Sequence, residues 1–265
     1  MRPALMVVLL LWPDAVAAEP SLDLVPVPAG ILHQGDPEGD ANEVERQVQV
    51  PAVALMRHEV TNAQFAKFVA ETGYLTDPER RGFGYVWSDR WRRVPGADWR
   101  HPGGPETGLE GLDDHPVVQV SQQDAAAFCA HHGLMLPGEA AWERAARGDD
   151  RRRYPWGDQP PEEDGARRAN FGTVACCAPD ASDGFRATAP VGSFPNGASP
   201  FGLLDMAGNV WEWTADPFPG RPDQVSLRGG GWGNNPYCLR VSYRHGNPPN
   251  IGLDMVGFRC AQLAP

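Results

Sequence analysis

The side chains best suited to chemistry gather in one stretch, residues 227–246, LRGGGWGNNPYCLRVSYRHG. Three glycines run into Trp232, two asparagines and a proline follow, and Cys238 stands behind them, with Arg244 and His245 further on. This reads either as a redox site short of part of its equipment or as a tight turn. The remaining sulfur is at Cys129, Cys176, Cys177 and Cys260, so the total of five cysteines leaves at least one thiol without an intrachain partner. In an exported protein, pairing is the default for the rest. Histidine offers little. His131 and His132 are adjacent on a helical stretch and diverge by about 100°, so they do not chelate one ion together. There is no His-Glu-x-x-His zinc motif and no nucleophile elbow. The glycines at 229–231 lack the lysine and the strand–loop–helix setting of a phosphate loop.

The elements that must position these residues are legible early in the chain. Residues 22–33 read as a strand broken by prolines that leads into a second strand. EVTNAQFAKFVAETG (59–73) reads as a helix. Thr61 caps it, Gln64 completes a capping box, and Gly73 stops it. Phe65, Phe68 and Val69 share one face at helical spacing. HPVVQVSQQDAAAFCAHHG (115–133) gives a short strand, a cap at Ser121 and a helix burying Ala125, Phe128 and Cys129. LPGEAAWERAARG (136–148) gives a third helix with Trp142, Ala145 and Ala146 inward. Residues 77–114 show no period and read as a long surface excursion. After residue 150 only short apolar pieces separate turns, and VGFRCAQL (256–263) reads as a closing strand. No repeat or linker divides the chain. The class is α+β.

Composition agrees. The 30 Gly and 27 Pro residues make up over a fifth of the 265-residue chain, against about 12 % in average proteins. Much of the backbone must therefore be turn and irregular structure. The net charge of −11 argues against nucleic acid, whose phosphates demand a basic face. It suits bound cations or basic partners. Arg2, an apolar run at 4–12 and small residues at 16–18 have the layout of a secretory signal peptide. The expectation is a leader at 1–18, a mature domain at 19–265, and a periplasmic or secreted protein without a transmembrane segment after cleavage.

The motif order adds a resemblance. HEVTNAQFAKFV (58–69), HPVVQVSQQDAAAFC (115–129), LPGEAAWERAARG (136–148), YPWGD (154–158), GLLDMAGNVWEWTAD (202–216), RGGGW (228–232) and GFRC (257–260) follow one another. Together they resemble the formylglycine-generating enzyme family, also called sulfatase-modifying factors, from about residue 24 to 262. The resemblance implies a single domain of the C-type-lectin-like type, low in regular structure. It does not fix the activity, because one fold hosts many functions.

Members of that family that are enzymes use copper and oxygen to oxidise a cysteine of sulfatases to formylglycine. They carry Gly-Gly-Ser, a cysteine after two more residues, and a second cysteine after four more. Two such thiolates can hold Cu(I), which soft sulfur selects. Here Gly229 and Gly230 match, Gly231 stands at the serine position, and Asn234 stands at the first cysteine. The second cysteine falls on Leu239, with Cys238 one residue out of register. An asparagine amide is a hard, neutral donor and no substitute, so copper is not expected. Any reaction in this segment would run through Cys238, Asn234 and Arg244. The resemblance also implies a groove for an extended peptide, with Trp211, Trp232 and Tyr243 in the matching segments. The alternative is that the tryptophans are core.

Two calcium sites are implied as well. Asn170, Asp183 and the carbonyls of Phe171 and Phe185 match the first. Asp205, Glu212 and the carbonyls of Gly208 and Val210 match the second. Calcium takes six to eight hard oxygens from flexible loops, and structural Ca2+ would order this turn-rich backbone. Alternatively, Asp205 and Glu212 bond to backbone without metal. The family's disulfide carries over to Cys129 and Cys260. Cys176 and Cys177 fall in a loop outside the family pattern. Adjacent cysteines rarely bridge each other, so one of them is expected to pair with Cys238, leaving a spare thiol. A sharper alternative groups all three as a redox or soft-metal site.

Three functions follow. The first is an exported, oxidoreductase-type maturation factor acting on an exported protein or secreted peptide without the two-cysteine copper site. The second is a non-catalytic peptide- or protein-binding module of the same fold. The third is a working sulfatase-activating enzyme.

Overall fold

Three capping boxes start three helices in the computed structural model, which describes residues 22–263 except Asp164 and Pro179. The expected leader at 1–18 lies outside the described residues. Helix α1 (Asn62–Thr72) begins at Thr61, whose hydroxyl accepts from the Gln64 amide while the Gln64 side chain accepts from the Thr61 amide, and it ends at left-handed Gly73. Helix α2 (Asp77–Arg81) and helix α3 (Gln122–His131) open with the same reciprocal bonds, Thr76 with Glu79 and Ser121 with Asp124. Such caps satisfy donors that the first turn leaves open. Helix α4 (Glu139–Arg147) starts at Gly138 with no capping side chain of its own. Asp216 Oδ2 instead accepts from the Glu139 amide at 2.6 Å, tying the helix to a distant strand.

The strands are β1 (Leu24–Val27), β2 (Gly30–Gln34), β3 (Arg46–Val50), β4 (Val53–Met56), β5 (Phe83–Trp87), β6 (Trp91–Pro95), β7 (Glu162–Glu163), β8 (Ala166–Arg167), β9 (Trp211–Phe218), β10 (Arg221–Arg228), β11 (His245–Asn247), β12 (Val256–Gly257) and β13 (Ala261–Leu263). One sheet runs β1-β4-β13 and another β11-β10-β9-β12, with β2-β3, β5-β6 and β7-β8 as separate hairpins. The main core packs Phe65, Phe68, Phe128, Phe258, Trp99 and Trp213 beneath the second sheet. Phe65 stacks on Phe128 at 5.9 Å between centroids. A second cluster joins Trp142, Ala145 and Ala146 of α4 to Val25, Val53 and Leu55. The Cys129–Cys260 disulfide, with Cα atoms 5.6 Å apart, staples α3 to the chain entering β13.

Three expectations need correction. Residues 77–114 are not a bare surface excursion. They carry α2 and the β5-β6 hairpin, and Trp99 packs into the core between Phe65 and its own arginine partner Arg100. The late chain is not only short strands, since β9 and β10 each run eight residues. The closing strand is split. Val256 and Gly257 pair in parallel with β9, whereas Ala261–Leu263 pair with β4 in the other sheet. The break falls where Arg259 turns inward to meet Glu212.

Candidate functional site

The segment that leaves β10 turns back on itself through Gly229 and Gly230, both in the left-handed region at φ 95° and 74°. A side chain at either is strained, and a Cβ on Gly230 would stand 2.9 Å from the Cys238 carbonyl oxygen. Gly231, where a serine was the family expectation, has no room either: a Cβ would fall 2.5 Å from Met255 Cγ. Buried Arg228 fixes the return of the loop. Its guanidinium donates to the carbonyls of Val241, Ser242 and Tyr243 and pairs with Glu143 of α4.

These turns open a cleft of about 530 Å³. Trp91, Trp211, Tyr243, His245 and Met255 line it, together with Cys176, Cys177, Asn234 and Cys238. Trp211 lies 5.9 Å from Tyr243 and 5.6 Å from His245 between ring centroids. The structure thus brings Cys238, Asn234, Trp211 and Tyr243 together.

Asn234 is held through both atoms of its amide group. Its Oδ1 accepts from Trp211 Nε1 at 2.9 Å and from the Gly231 amide at 3.0 Å. Its Nδ2 donates to the Ala175 carbonyl at 2.6 Å. Three of the four hydrogen-bonding positions of the amide hold the cleft together, which makes Asn234 a latch. Cys238 is a free, buried thiol, and its Sγ donates to the same Ala175 carbonyl at 3.4 Å. Burial pushes its pKa up, outweighing the Tyr243 hydroxyl beside it, which favours the thiolate. Burial, and then the neighbouring sulfur, push the Tyr243 phenol up as well. At neutral pH both stay protonated.

Two expected residues lie elsewhere. Arg244 does not line the cleft. It pairs with Glu139 at 2.9 Å and donates to the Asn42 carbonyl at 2.9 Å, so its charge is used inside the fold. Trp232 is buried and donates to the Asp254 carbonyl at 3.3 Å. It faces a separate cavity of about 240 Å³ shared with Asn62 and Asp254.

The expected pairing of Cys176 or Cys177 with Cys238 is overturned. Cys176 and Cys177 bond to each other and Cys238 stays reduced. The reason is local. The Ala175 carbonyl, next to Cys176, accepts from both Cys238 Sγ and Asn234 Nδ2, so Cys238 meets the backbone of this loop rather than its sulfurs.

The first calcium set fits a cation. Asn170 Oδ1 and Asp183 Oδ2 are both buried without a hydrogen-bond partner. Burial pushes the Asp183 pKa up, as expected where a charge lacks compensation. The nearest cation, Arg167 Nε, stands 4.0 Å from that oxygen. The second set fits only in part. Glu212 accepts from Arg259 Nε and Nη2 at 2.8 and 2.7 Å and from Trp142 Nε1 at 2.8 Å. Neither of its oxygens is free. Asp205 accepts from the Gly192 amide at 2.6 Å, and burial raises its pKa to about 6. The unpartnered carboxylate there is Glu59, fully buried with both oxygens unsatisfied. Burial first, and then Asp205, raise its pKa. A cation at this place would be held by Glu59 and Asp205, with Glu212 committed to Arg259.

Sequence reasoning missed Glu59, Trp91 and the lining role of the cysteine pair. Glu59 follows Arg57 and His58 in a polar run before α1, so its sequence surroundings gave no sign that it is buried beside Val60. Trp91 lay in the stretch set aside as a surface excursion.

Comparison with known proteins is consistent with this geometry. The family model described as a sulfatase-modifying factor enzyme 1-like domain matches residues 13–264. The Bos taurus formylglycine-generating enzyme is 36 % identical over 91 % of this chain and 75 % of its own. The inactive C-alpha-formylglycine-generating enzyme 2 of Mus musculus is likewise 36 % identical, over 91 % of this chain and 86 % of its own. Among solved structures, PvdO from Pseudomonas aeruginosa superposes with a TM-score of 0.70 at 26 % identity, covering 91 % of this chain and 94 % of its own.

Proposed function

The chain belongs to the formylglycine-generating enzyme (sulfatase-modifying factor) family, and from that premise we propose that it is an exported, oxidoreductase-type maturation factor whose cleft receives an extended segment of a peptide or protein without two-thiolate copper chemistry. One observation carries the reading. At the position of the family's first cysteine, Asn234 has every amide atom bonded to Trp211, Gly231 and Ala175. At the second, Leu239 is fully buried beside Tyr154 and Phe171. Neither can offer a thiolate to Cu(I). The cleft itself is kept, with aromatic faces suited to flat or apolar side chains of a peptide.

Structural Ca2+ belongs to this reading. Asn170 and Asp183, and separately Glu59 and Asp205, present buried oxygens that a hard cation would satisfy. Such an ion would neutralise charge and order loops, leaving the cleft residues to bind and orient the peptide.

A second reading, a binding module without catalysis, draws on the protonated state of Cys238 and the engagement of Asn234, which leave neither as an activated nucleophile. Mass spectrometry after incubation with a peptide bearing a Cys-x-Pro-x-Arg core tests the main proposal against the standard activity. The expected cysteine is unmodified, and formylglycine in the product would refute the proposal. Quenching of tryptophan fluorescence by the same peptide with serine for cysteine tests the cleft. Saturable quenching is expected, and its absence would remove the peptide-binding reading.

A further inference from the structure

The cleft that lacks the family's two cysteines receives a cysteine pair from another part of the chain. Residues 172–178 are stitched to residues 231–238 by backbone bonds: Gly172 N to Asn234 O at 2.8 Å, Asn235 N to Val174 O at 2.7 Å, and Ala178 N to Gly233 O at 3.0 Å. Asn234 Nδ2 and Cys238 Sγ both reach Ala175 O. Two glycines permit this closeness. A Cβ on Gly172 would fall 2.4 Å from Ala178 O and 2.7 Å from Gly233 C, and a Cβ on Gly233 would lie 3.1 Å from Cys177 Cβ. The backbone is therefore built to press the cysteine pair against the cleft. Its two sulfurs differ: Cys176 is exposed, whereas Cys177 is buried. The other disulfide, Cys129–Cys260, is fully buried in the core.

We infer that the Cys176–Cys177 disulfide is the redox group of this cleft, accepting two electrons from a peptide or protein substrate that carries two thiols. This rests on the reading of the cleft as a peptide site. The steps balance as thiol–disulfide exchange. A substrate thiolate, its proton lost to water, attacks exposed Cys176 Sγ. The Cys176–Cys177 bond breaks, a mixed disulfide forms, and Cys177 leaves as thiolate and takes a proton from water. The second substrate thiolate then attacks its own mixed-disulfide sulfur. Substrate leaves with an internal disulfide and Cys176 leaves as thiolate. One dithiol is oxidised and one disulfide is reduced. A small disulfide such as oxidised glutathione returns the pair to its starting state by the same exchange. Attack is directed to Cys176 because exchange requires access to the sulfur attacked. Trp91, Trp211 and Tyr243 line the path to it.

The experiment uses the full-length exported protein and a Cys-Gly-Gly-Cys peptide flanked by aromatic residues. Samples are acid-quenched, alkylated under denaturing conditions and weighed. Before reaction one thiol is alkylated, Cys238; afterwards three are, with one equivalent of cyclised peptide and Cys129–Cys260 intact. The rate should saturate with peptide and fall at least fivefold in Trp91→Ala. The Cys176→Ser/Cys177→Ser double variant should oxidise no peptide yet still quench its tryptophan fluorescence on binding the serine form of the peptide, which shows that it folds. If the serine peptide binds but the pair stays oxidised, the inference is overturned and the peptide site stands. If the pair is reduced without saturation, at a rate Trp91→Ala does not change, the inference and the peptide-site reading both fall.

Discussion

Replacing Asn234 with alanine should unlatch the cleft rather than remove a catalyst. The side chain accepts from Trp211 Nε1 and the Gly231 amide and donates to Ala175 O, all within 3.0 Å. Trp211 is 6 % exposed and Asn234 only 3 %, so water reaches these bonds poorly. An unpartnered buried donor costs roughly 1–3 kcal/mol. Alanine strands two donors, and Ala175 O keeps only the weaker bond from Cys238. The expected loss is about 3–5 kcal/mol of unfolding free energy. Asn234→Asp retains the acceptor for Trp211 and Gly231 but faces Ala175 O with an oxygen in place of a donor, so it should release residues 172–178 in particular. Urea denaturation gives the first quantity, with the slope unchanged if only stability has moved. Hydrogen exchange resolved to residues 172–178 gives the second. A loss below about 1 kcal/mol for alanine, with unchanged exchange in that loop, would refute the latch and return Asn234 to the candidates for direct chemistry.

Removing the core disulfide by Cys129→Ala/Cys260→Ala opens a loop spanning a sequence separation of 131; chain entropy alone predicts a loss of about 5 kcal/mol, readable as a lower urea midpoint. Asp254, its carboxyl pushed up to about 7 by burial with Oδ1 unpartnered, favours the folded state when protonated. That contribution is complete below about pH 4 and lost as pH rises through about 7, at most about 4 kcal/mol; Asp254→Asn should flatten this part of the stability–pH curve, and an unchanged curve would refute it. Chelation of calcium should lower the melting temperature, by about 2.7 kcal/mol of stability from a level of 100 times the dissociation constant. Asp183→Ala should shrink that calcium response, and an undiminished one would remove Asp183 from the cation site.

Local chemistry was legible where an apolar helical face followed the cap, and it was passed over at Thr76–Glu79, whose reciprocal cap opens the five-residue α2 inside the 77–114 stretch. Thr61–Gln64 and Ser121–Asp124 are reciprocal caps that need only the neighbouring residues. The β5-β6 hairpin was not legible, because Trp91, Arg92 and Arg93 break the alternation that a half-buried strand shows, and Arg93 instead covers the Phe83 ring at 3.6 Å. Buried charges were equally silent. Nothing near Glu212 in sequence announces Arg259, and their pairing reassigns a carboxylate that otherwise resembles a metal ligand. Cysteine connectivity cannot be read from spacing. Here Cys176 and Cys177 bond to each other, and Cys238 faces the Ala175 carbonyl, a contact that no side-chain pattern encodes. The location of the cleft followed from the order of motifs around Gly229 and Gly230, whereas the side chains that line it came from four separate stretches of chain.

The central claim is that this cleft is the family's, with its two-thiolate chemistry gone. The most direct measurement is mass spectrometry of a Cys-x-Pro-x-Arg peptide incubated with the purified protein, copper and oxygen. The account predicts a peptide whose cysteine is never converted to formylglycine, whatever the copper supplied. Time-dependent conversion to formylglycine that depends on the protein would contradict it.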